Sequence, residues 1–132
     1  MIYIRKYNKT LDECPLMEMI RNEDGWDYAD ENLASLYKKS LEDSLTWVAY
    51  EGDVLCGYCR SIDDFGTYIY VCDLLVIPVF RGKEIGRKLM ERIVADYPDR
   101  VVYVMSDEDG YYEKLGYPRV GSIFEIPKKL NE

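Results

Sequence analysis

The pattern of apolar and polar positions along the chain has two periods, which together predict strands and helices in one fold. Residues that alternate with period two, or that form short β-branched runs between turn residues, predict strands. The first pair of long strands flanks a Glu-Gly-Asp turn, which is typical of a β-hairpin. The predicted strands are 2–7, 46–50, 54–62, 67–77, 101–105 and one or two within 117–126.

Helical spacing of apolar residues predicts helices between these strands. One follows residue 10 and should carry Pro15 in its first turn, where a missing N–H does no harm. Others are predicted over 30–40, over 87–96 and, as a short helix, over 110–115. The run 101–105 is continuously apolar, which indicates a strand buried on both faces. The order predicts an α+β fold: a mixed, mostly antiparallel sheet flanked by helices, with a central βαβ unit.

Length and composition restrict the class of protein. The chain has 132 residues, of which 48% are hydrophobic and 32% charged, so we expect one folded domain over 1–132. No apolar run reaches the roughly 20 residues of a membrane span. The basic residues near the N-terminus are not followed by the apolar segment of a signal peptide, so we expect a cytoplasmic protein. The net charge of −8 argues against nucleic acid as a partner.

The cysteines raise a metal or redox hypothesis. Cys56 and Cys59 have C-x-x-C spacing, but they lie within a predicted strand. A zinc site of this kind needs a second pair of ligands, and the chain has no histidine. We therefore predict no metal, and we keep a redox or metal protein as a distant alternative that bound zinc would support.

The segment with the most functional information runs from the central predicted strand through Pro78 into residues 81–86 (Arg-Gly-Lys-Glu-Ile-Gly) and a helix. A helix that begins after a glycine-rich turn presents free N–H groups and the positive end of its dipole to an anion. Residues 81–92 also hold five Lys or Arg against two Glu, in an otherwise acidic chain. This combination predicts a site for a phosphate-bearing ligand.

Two motifs in this part of the chain resemble those of a known protein family. Residues 74–89 resemble the acetyl-CoA signature of the GNAT superfamily of N-acetyltransferases: a strand, a proline turn and then [RQ]-x-x-G-x-[GA] opening a helix. Residues 111–117 (Tyr-Tyr-Glu-Lys-Leu-Gly-Tyr) resemble the second motif of the superfamily, in the right order and at the right distance. The resemblance covers nearly the whole chain and implies a GNAT-like fold in a small member of undefined substrate.

The resemblance implies acetyl-CoA as cosubstrate, an amine acceptor and, as one oligomeric state, a homodimer. Backbone N–H groups of 82–87 would hold the pyrophosphate, and 74–76 would lie along the pantetheine arm. A backbone N–H near Val76 would polarise the thioester carbonyl. The implied cofactor-binding residues are Leu74, Leu75, Val76, Arg81, Gly82, Lys83, Glu84, Ile85, Gly86 and Arg87.

The implied reaction is direct attack of a primary amine, on a small molecule or on a peptide or protein, on the thioester. Tyr112 occupies the family position of the general acid that protonates the leaving thiolate. Asp73 is the best placed carboxylate for the base, directly or through water, although it could instead face outward or fix a neighbouring loop. The thirteen tyrosines could line an acceptor pocket or could be half-buried core residues.

One departure from the family pattern bears on activity. Glu84 stands where the family places the central glycine of its motif. A carboxylate that faces the pyrophosphate would repel it, and a Cβ could obstruct a tight backbone turn, unless the side chain points to solvent. The alternative function is therefore a catalytically impaired module of the same fold that binds acetyl-CoA or a partner.

Overall fold

The computed structural model of the protein describes residues 1–128, in which a five-stranded sheet carries helices on both faces. No helix in this range is long and apolar enough to cross a membrane. A short 3₁₀ turn over Pro78–Phe80 precedes the third helix. The strands and helices are β1 (Ile2–Lys6), α1 (Lys9–Arg21), α2 (Ala34–Asp43), β2 (Leu45–Glu51), β3 (Val54–Asp63), β4 (Tyr68–Val76), α3 (Ile85–Asp96), β5 (Val101–Val104) and α4 (Asp109–Lys114).

The strands lie in the sheet in chain order, from β1 to β5. Neighbours from β1 to β4 are antiparallel, whereas β4 and β5 are parallel and are joined through α3. This arrangement confirms the predicted α+β fold, with a mostly antiparallel mixed sheet and a βαβ unit at one end.

Two separate apolar clusters fix the helices to the sheet. On one face, Ile85, Leu89 and Ile93 of α3 pack against Trp47 and Ile69. On the other face, α1 and α2 form a second cluster with the sheet, which includes Leu16, Ile20, Leu41, Tyr58 and Leu75. Burial of large apolar side chains on both faces supplies most of the stability of such a two-layer packing.

The structure corrects the start of the first two helices. Asn8 is the N-cap of α1 and its side chain accepts a hydrogen bond from the N–H of Leu11, so Pro15 lies inside the helix rather than in its first turn. The second helix begins at Ala34, because residues 30–33 form a turn in which Asp30 O accepts the N–H groups of Leu33 and Ala34. An N-cap side chain outweighed the positional preference of proline at α1.

The last part of the fold also differs from expectation. β5 lies at the edge of the sheet and Val101 is 43% exposed, so the prediction of a strand buried on both faces is wrong. Residues 117–128 contain no strand, and from residue 118 onward all of them are exposed. A continuous apolar run does not distinguish a central strand from an edge strand, because the neighbours decide the burial.

Candidate active site

The central feature of the site is the point where β4 separates from β5. The pairing of these strands ends at Val71 and Val104, and one more hydrogen bond joins Met105 N–H to Val71 O. At the same point β4 bulges by one residue, Cys72, against β3. Beyond the bulge, β4 continues along β3 with its other edge unpaired by β5.

Hydrogen-bond alternation shows which backbone groups face the open edge. Ile77 donates its N–H to Cys56 O on β3. In an antiparallel pair, N–H groups of successive residues point alternately toward and away from the neighbouring strand. By this alternation the N–H groups of Leu74 and Val76 face the open edge of β4. These two donors, within the predicted stretch 74–76, can therefore reach a ligand in the gap.

The bulge also reverses the side-chain pattern of β4. Before it, Ile69 and Val71 pack on the α3 side; after it, Leu74 and Val76 do. The side chain of Leu75 is buried in the cluster under α1 and α2, away from α3. Leu75 thus directs its side chain away from the α3 side, and its N–H and C=O face β3 rather than the gap.

The first turn of α3 leaves backbone donors free. Glu84 is the N-cap, with φ 65° and ψ 20° and no capping hydrogen bond from its side chain. The first intrahelical bond runs from Lys88 N–H to Glu84 O, so the N–H groups of Ile85, Gly86 and Arg87 have no intrahelical acceptor. Gly82, with φ +82° and open space around it, lets the chain turn into this position. These donors fit a pyrophosphate.

Close packing, rather than backbone conformation, requires a glycine at position 86. A Cβ built there would lie 2.5 Å from the Tyr111 hydroxyl and 3.4 Å from a methyl carbon of Leu74. The Tyr111 hydroxyl and the Leu74 side chain therefore both pack against the first turn of α3 at Gly86. A ligand that runs from the start of α3 to Leu74 must pass beside this ring.

Ion pairs take up much of the positive charge that the sequence places at this turn. Arg81 contacts both carboxylate oxygens of Glu23 at 3.0 Å, and its Nε donates to Val76 O at 2.8 Å. Arg87 pairs with Glu84 at 2.8 Å and Glu91 at 3.0 Å. Charge patterning alone therefore overstates the attraction of the turn for an anion.

Two groups at the turn keep donor capacity. Lys83 is exposed and its ammonium lies 5.2 Å from the centre of the Phe80 ring. The Nε of Arg87 is buried and has no hydrogen-bond partner within residues 1–128. A buried donor without an acceptor is rare, and it fits a site completed by a ligand oxygen.

Glu84 itself points outward. Its side chain is 60% exposed and paired with Arg87, so it does not fill the turn. Its backbone, however, is in the left-handed region that favours glycine, which costs a residue with a Cβ roughly 1 kcal/mol. The conformation thus explains why the family motif has glycine at this position.

Asp73 lies on the α1–α2 side of the sheet and is 6% exposed. Its oxygens accept hydrogen bonds from Arg60 Nε at 2.7 Å, the Tyr37 hydroxyl at 2.8 Å and the Tyr28 hydroxyl at 3.0 Å. Arg60 also donates to the Ser44 hydroxyl at 3.1 Å. The carboxylate therefore ties β3 to α2 and to the segment between α1 and α2.

The tyrosines around Asp73 are held in their protonated form. Tyr28 and Tyr37 stack with ring centres 4.0 Å apart, and Tyr37 shares a hydrogen bond of 2.6 Å with Tyr58. Burial, reinforced by the charge of Asp73, raises the pKa of Tyr28 to about 12 and that of Tyr37 further. These phenols act as donors to the carboxylate across the neutral pH range.

Tyr112, on α4, is half-buried against the α3-side cluster. Burial, with a smaller contribution from the negative charge of Asp107, raises the pKa of its hydroxyl well above the usual value for tyrosine. The ring lies 6.3 Å from that of Tyr117 and lines a cavity of about 1060 Å³ between β5, α3, α4 and residues 117–124. A phenol with a raised pKa remains a proton donor at neutral and moderately alkaline pH.

The sequence alone did not identify several residues of this region. Arg60 faces Asp73 across the sheet, but the bulge at Cys72 sets that register and leaves no clear signal in the sequence. Tyr28 and Tyr37 come from the α1–α2 region, whose packing depends on the tertiary fold. The period-two spacing of tyrosines in 68–70 could have indicated a shared face.

The C-x-x-C pair does not form a polar site. Cys56 and Cys59 are both buried in the α3-side cluster as free thiols, since an irregularity in the β2–β3 pairing brings them to the same face. Burial raises the pKa of both thiols, which lowers their reactivity. Within residues 1–128, no group of three or more Cys, Asp or Glu is placed to hold a metal ion.

Solved structures with the same fold are numerous. A GNAT family acetyltransferase from Streptococcus pneumoniae has 21% identity and a TM-score of 0.70, over 97% of this chain and 100% of that one. A predicted acetyltransferase from Clostridium acetobutylicum, solved with acetyl-CoA, has 18% identity and a TM-score of 0.70, over 96% of each chain. An aminoglycoside acetyltransferase from an uncultured soil sample has 19% identity and a TM-score of 0.71, over 98% and 99%.

Sequence comparison gives the family. No curated protein matches the chain significantly. The acetyltransferase (GNAT) domain family, in contrast, matches residues 42–119, which include the hairpin, the bulged strand, α3 and α4. The match spans more than half of the chain and both motifs of the candidate site. The chain therefore belongs to the GNAT family of acetyltransferases, whose general chemistry is acyl transfer from acetyl-CoA.

Proposed function

We propose that the protein transfers the acetyl group of acetyl-CoA to a primary amine by direct attack of the amine on the thioester. The observation that carries this proposal is the open edge of β4, with the N–H groups of Leu74 and Val76 facing the gap and the free donors of α3 at one end of it. This geometry supports binding of a long, extended ligand with an anionic end.

In the proposed complex the pyrophosphate lies on the N–H groups of residues 85–87, where the helix dipole favours it. The Nε of Arg87 and the ammonium of Lys83 supply further donors. The pantetheine arm runs past Tyr111 along β4, so that the N–H of Leu74 or Val76 donates to the thioester oxygen. That donor stabilises the negative charge which develops there during attack.

The reaction then needs two proton transfers. The neutral amine forms a bond to the carbonyl carbon, and the tetrahedral intermediate collapses to an amide as the bond to sulfur breaks. Tyr112 gives its proton to the departing thiolate, and the ammonium formed on the acceptor loses one to a base. The raised pKa of Tyr112 keeps its proton available at neutral pH.

Asp73 has two proposed roles, base and positioning residue. Its three hydrogen bonds, one of which is the ion pair with Arg60, occupy the oxygens that a base would use. These contacts favour the positioning role: Asp73 holds Tyr28 and Arg60 beside the bulge, and water takes the proton. The base role requires one oxygen to exchange Tyr28 for a water molecule.

The alternative function is an impaired module that binds acetyl-CoA or a partner without turnover. Glu84 and the ion pairs of Arg81 and Arg87 support it, because they reduce the positive charge at the turn. A homodimer and the absence of nucleic acid and membrane as partners remain predictions.

Titration calorimetry with acetyl-CoA, followed by mass spectrometry of a panel of amines, tests the proposal. Gly86→Val is the informative variant, since its side chain would displace Tyr111 into the path of the ligand. Leu11→Val, at an exposed position of α1, is the control. We expect micromolar binding that only Gly86→Val abolishes, together with an acetylated amine. Binding without any product would favour the impaired module. No binding at hundreds of micromolar would exclude the transferase and a module that binds acetyl-CoA, and would favour a module that binds a partner.

A further inference from the structure

Three tyrosines form a continuous aromatic surface on β4 and β5. Tyr70 lies opposite Tyr103 in the parallel pairing, and Tyr68 lies two residues before Tyr70. The ring centres of Tyr68 and Tyr103 are 5.2 Å apart and nearly parallel, and Tyr70 is 5.9 Å from Tyr103 at an angle of 45°. We call these three residues the tyrosine ladder.

The tyrosine ladder lies on the same face of the sheet as Asp73. Tyr68 and Tyr70 alternate with Ile69 and Val71, which pack on the α3 side, and Tyr103 lies between two valines that do the same. The three rings therefore point to the α1–α2 side and remain partly exposed. Partly exposed rings leave some of their π-surface available to a ligand.

The ladder also belongs to the cavity of the proposed acid. Tyr70 and Tyr103 line the same cavity of about 1060 Å³ as Tyr112. The charged residues in that lining are three carboxylates and one guanidinium: Glu91, Asp109, Glu113 and Arg119. Another carboxylate, Asp64, accepts the backbone N–H of Tyr68 at 3.0 Å. Two of the lining carboxylates are in ion pairs, Asp109 with Arg119 at 3.8 Å and Glu91 with Arg87 at 3.0 Å. The four charged lining residues together with Arg87 still have a net negative charge, which favours a cation over an anion at the tyrosine rings.

We propose that the tyrosine ladder binds a second cationic group of the acceptor, so that the preferred acceptors are linear amines with at least two cationic nitrogens. This inference rests on the proposed function and specifies its acceptor. One nitrogen attacks the thioester near Leu74, while another lies over the rings of Tyr70 and Tyr103. A tyrosine face attracts an ammonium through its quadrupole, more strongly where the site is partly desolvated.

The distance between the two positions sets the length of the acceptor. Leu74 lies four positions after Tyr70 on β4, which corresponds to about 13 Å of extended strand. A short diamine cannot reach both positions, whereas an extended triamine can. A monoamine of the same length fills the path but brings no charge to the rings.

Binding without reaction is the first test, because it does not depend on acetyl transfer. The probe is decamethonium, a long cation with two quaternary ammonium groups that cannot be acetylated, measured by titration calorimetry without acetyl-CoA. We expect Tyr70→Leu to weaken its binding about fivefold or more, and Tyr70→Phe, which keeps the ring, to change it less than twofold. Tyr3→Leu, an exposed tyrosine on β1, is the distant control.

Kinetics with matched amines is the second test. We expect kcat/KM for spermidine to exceed that for octylamine at least tenfold. Tyr70→Leu should remove most of this preference, because it should lower kcat/KM for spermidine much more than that for octylamine. Putrescine should be a poor acceptor because it is short. Circular dichroism confirms that each variant folds.

The outcomes separate this inference from the proposed function. If decamethonium does not bind, or binds equally to Tyr70→Leu, the inference is wrong even if amines are acetylated. If phenethylamine is preferred over spermidine, the ladder recognises an aromatic ring and the inference is also wrong. If decamethonium binds through Tyr70 but no amine is acetylated, the cation site stands and the proposed function fails.

Discussion

Two buried carboxylates, Asp12 and Asp73, have similar partners but lie in different parts of the molecule. Asp12 has no exposed surface and accepts hydrogen bonds from both terminal nitrogens of Arg5, the N–H of Asn8 and the Tyr50 hydroxyl, each at 2.7 Å. Asp73 accepts from Arg60 and two tyrosines. Each is thus an arginine–carboxylate pair completed by tyrosine.

The difference lies in what surrounds each pair. Asp12 joins β1, α1 and β2, where β1 and β2 pair without interruption. Asp73 adjoins the bulge, where β4 has left β5 and a gap opens. The same chemistry therefore stabilises the scaffold at one end and borders the candidate active site at the other. Loss of either carboxylate should therefore lower stability, whereas only loss of Asp73 should also change activity.

The largest expected effect is on stability, from Asp12→Asn. The variant leaves Arg5 without its charged partner, and we expect the free energy of unfolding to fall by about 3 kcal/mol, at the lower end for buried pairs because Arg5 is partly exposed. Urea denaturation measures it. At a temperature where the variant is folded, kcat/KM should be unchanged; a large loss of activity would contradict a purely structural role.

The pH dependence of stability should follow the same pair. Burial alone would raise the pKa of Asp12, but the hydrogen bonds from Arg5, Asn8 and Tyr50 outweigh it and lower the pKa below the usual value. A lowered pKa contributes stability at neutral pH that is lost as pH falls through the folded-state value. Acid unfolding of the wild type should therefore be steeper than that of Asp12→Asn; parallel curves would contradict this assignment.

The next effect is on rate, from Tyr112→Phe. Removing a general acid should lower kcat about a hundredfold, or about 2.7 kcal/mol in the barrier, while stability stays nearly constant. Because burial raises the pKa of Tyr112, the wild type should show no loss of activity from this group up to about pH 10. A variant that keeps its rate at alkaline pH would remove Tyr112 as the acid.

A smaller effect is expected from Asp73→Asn, which distinguishes the two roles of that carboxylate. If Asp73 positions Tyr28 and Arg60, kcat/KM should fall about tenfold, or about 1.4 kcal/mol, and the shape of the pH–rate profile should not change. If Asp73 is the base, the acidic limb of the profile should disappear. The profile, rather than the size of the loss, decides between them.

The sequence predicted the fold and the turn better than the surroundings of the site. Alternation and helical spacing located β3, β4 and α3 because burial on one face leaves a regular signal. The sequence pattern did not predict that β5 lies at the sheet edge or that residues 117–126 lack strands. A strand depends on neighbouring strands, and the local pattern does not specify them.

The missed site residues have a common physical cause. The bulge at Cys72 reverses which face of the sheet each later residue of β4 occupies. No residue type in this segment indicates a bulge. Arg60, Tyr28 and Tyr37 meet Asp73 only because of that reversal. The ion pair of Arg81 with Glu23 was likewise not predictable, because the two residues are 58 positions apart and meet only in the folded chain. The i,i+4 spacing of Arg87 and Glu91 on the predicted helix, in contrast, could have indicated their ion pair.

The smallest expected effect comes from Glu84, where the candidate site differs most clearly from the Asp12 end. At the Asp12 end, four hydrogen-bond donors satisfy the carboxylate. At the candidate site, Glu84, which has a Cβ, occupies a left-handed turn. Glu84→Gly should relieve strain of about 1 kcal/mol, partly offset by the greater freedom of glycine in the unfolded chain. Removal of the charge should also tighten acetyl-CoA binding about fivefold.

Two companion variants separate the backbone from the charge. Glu84→Gln removes the charge and keeps the Cβ, so it should tighten acetyl-CoA binding without raising stability. Glu84→Asn removes the charge and tolerates the left-handed conformation, so it should do both. If all three variants bind acetyl-CoA like the wild type, Glu84 lies too far from the pyrophosphate to matter, and the turn has accommodated the loss of its family glycine through the exposed side chain and Arg87 alone.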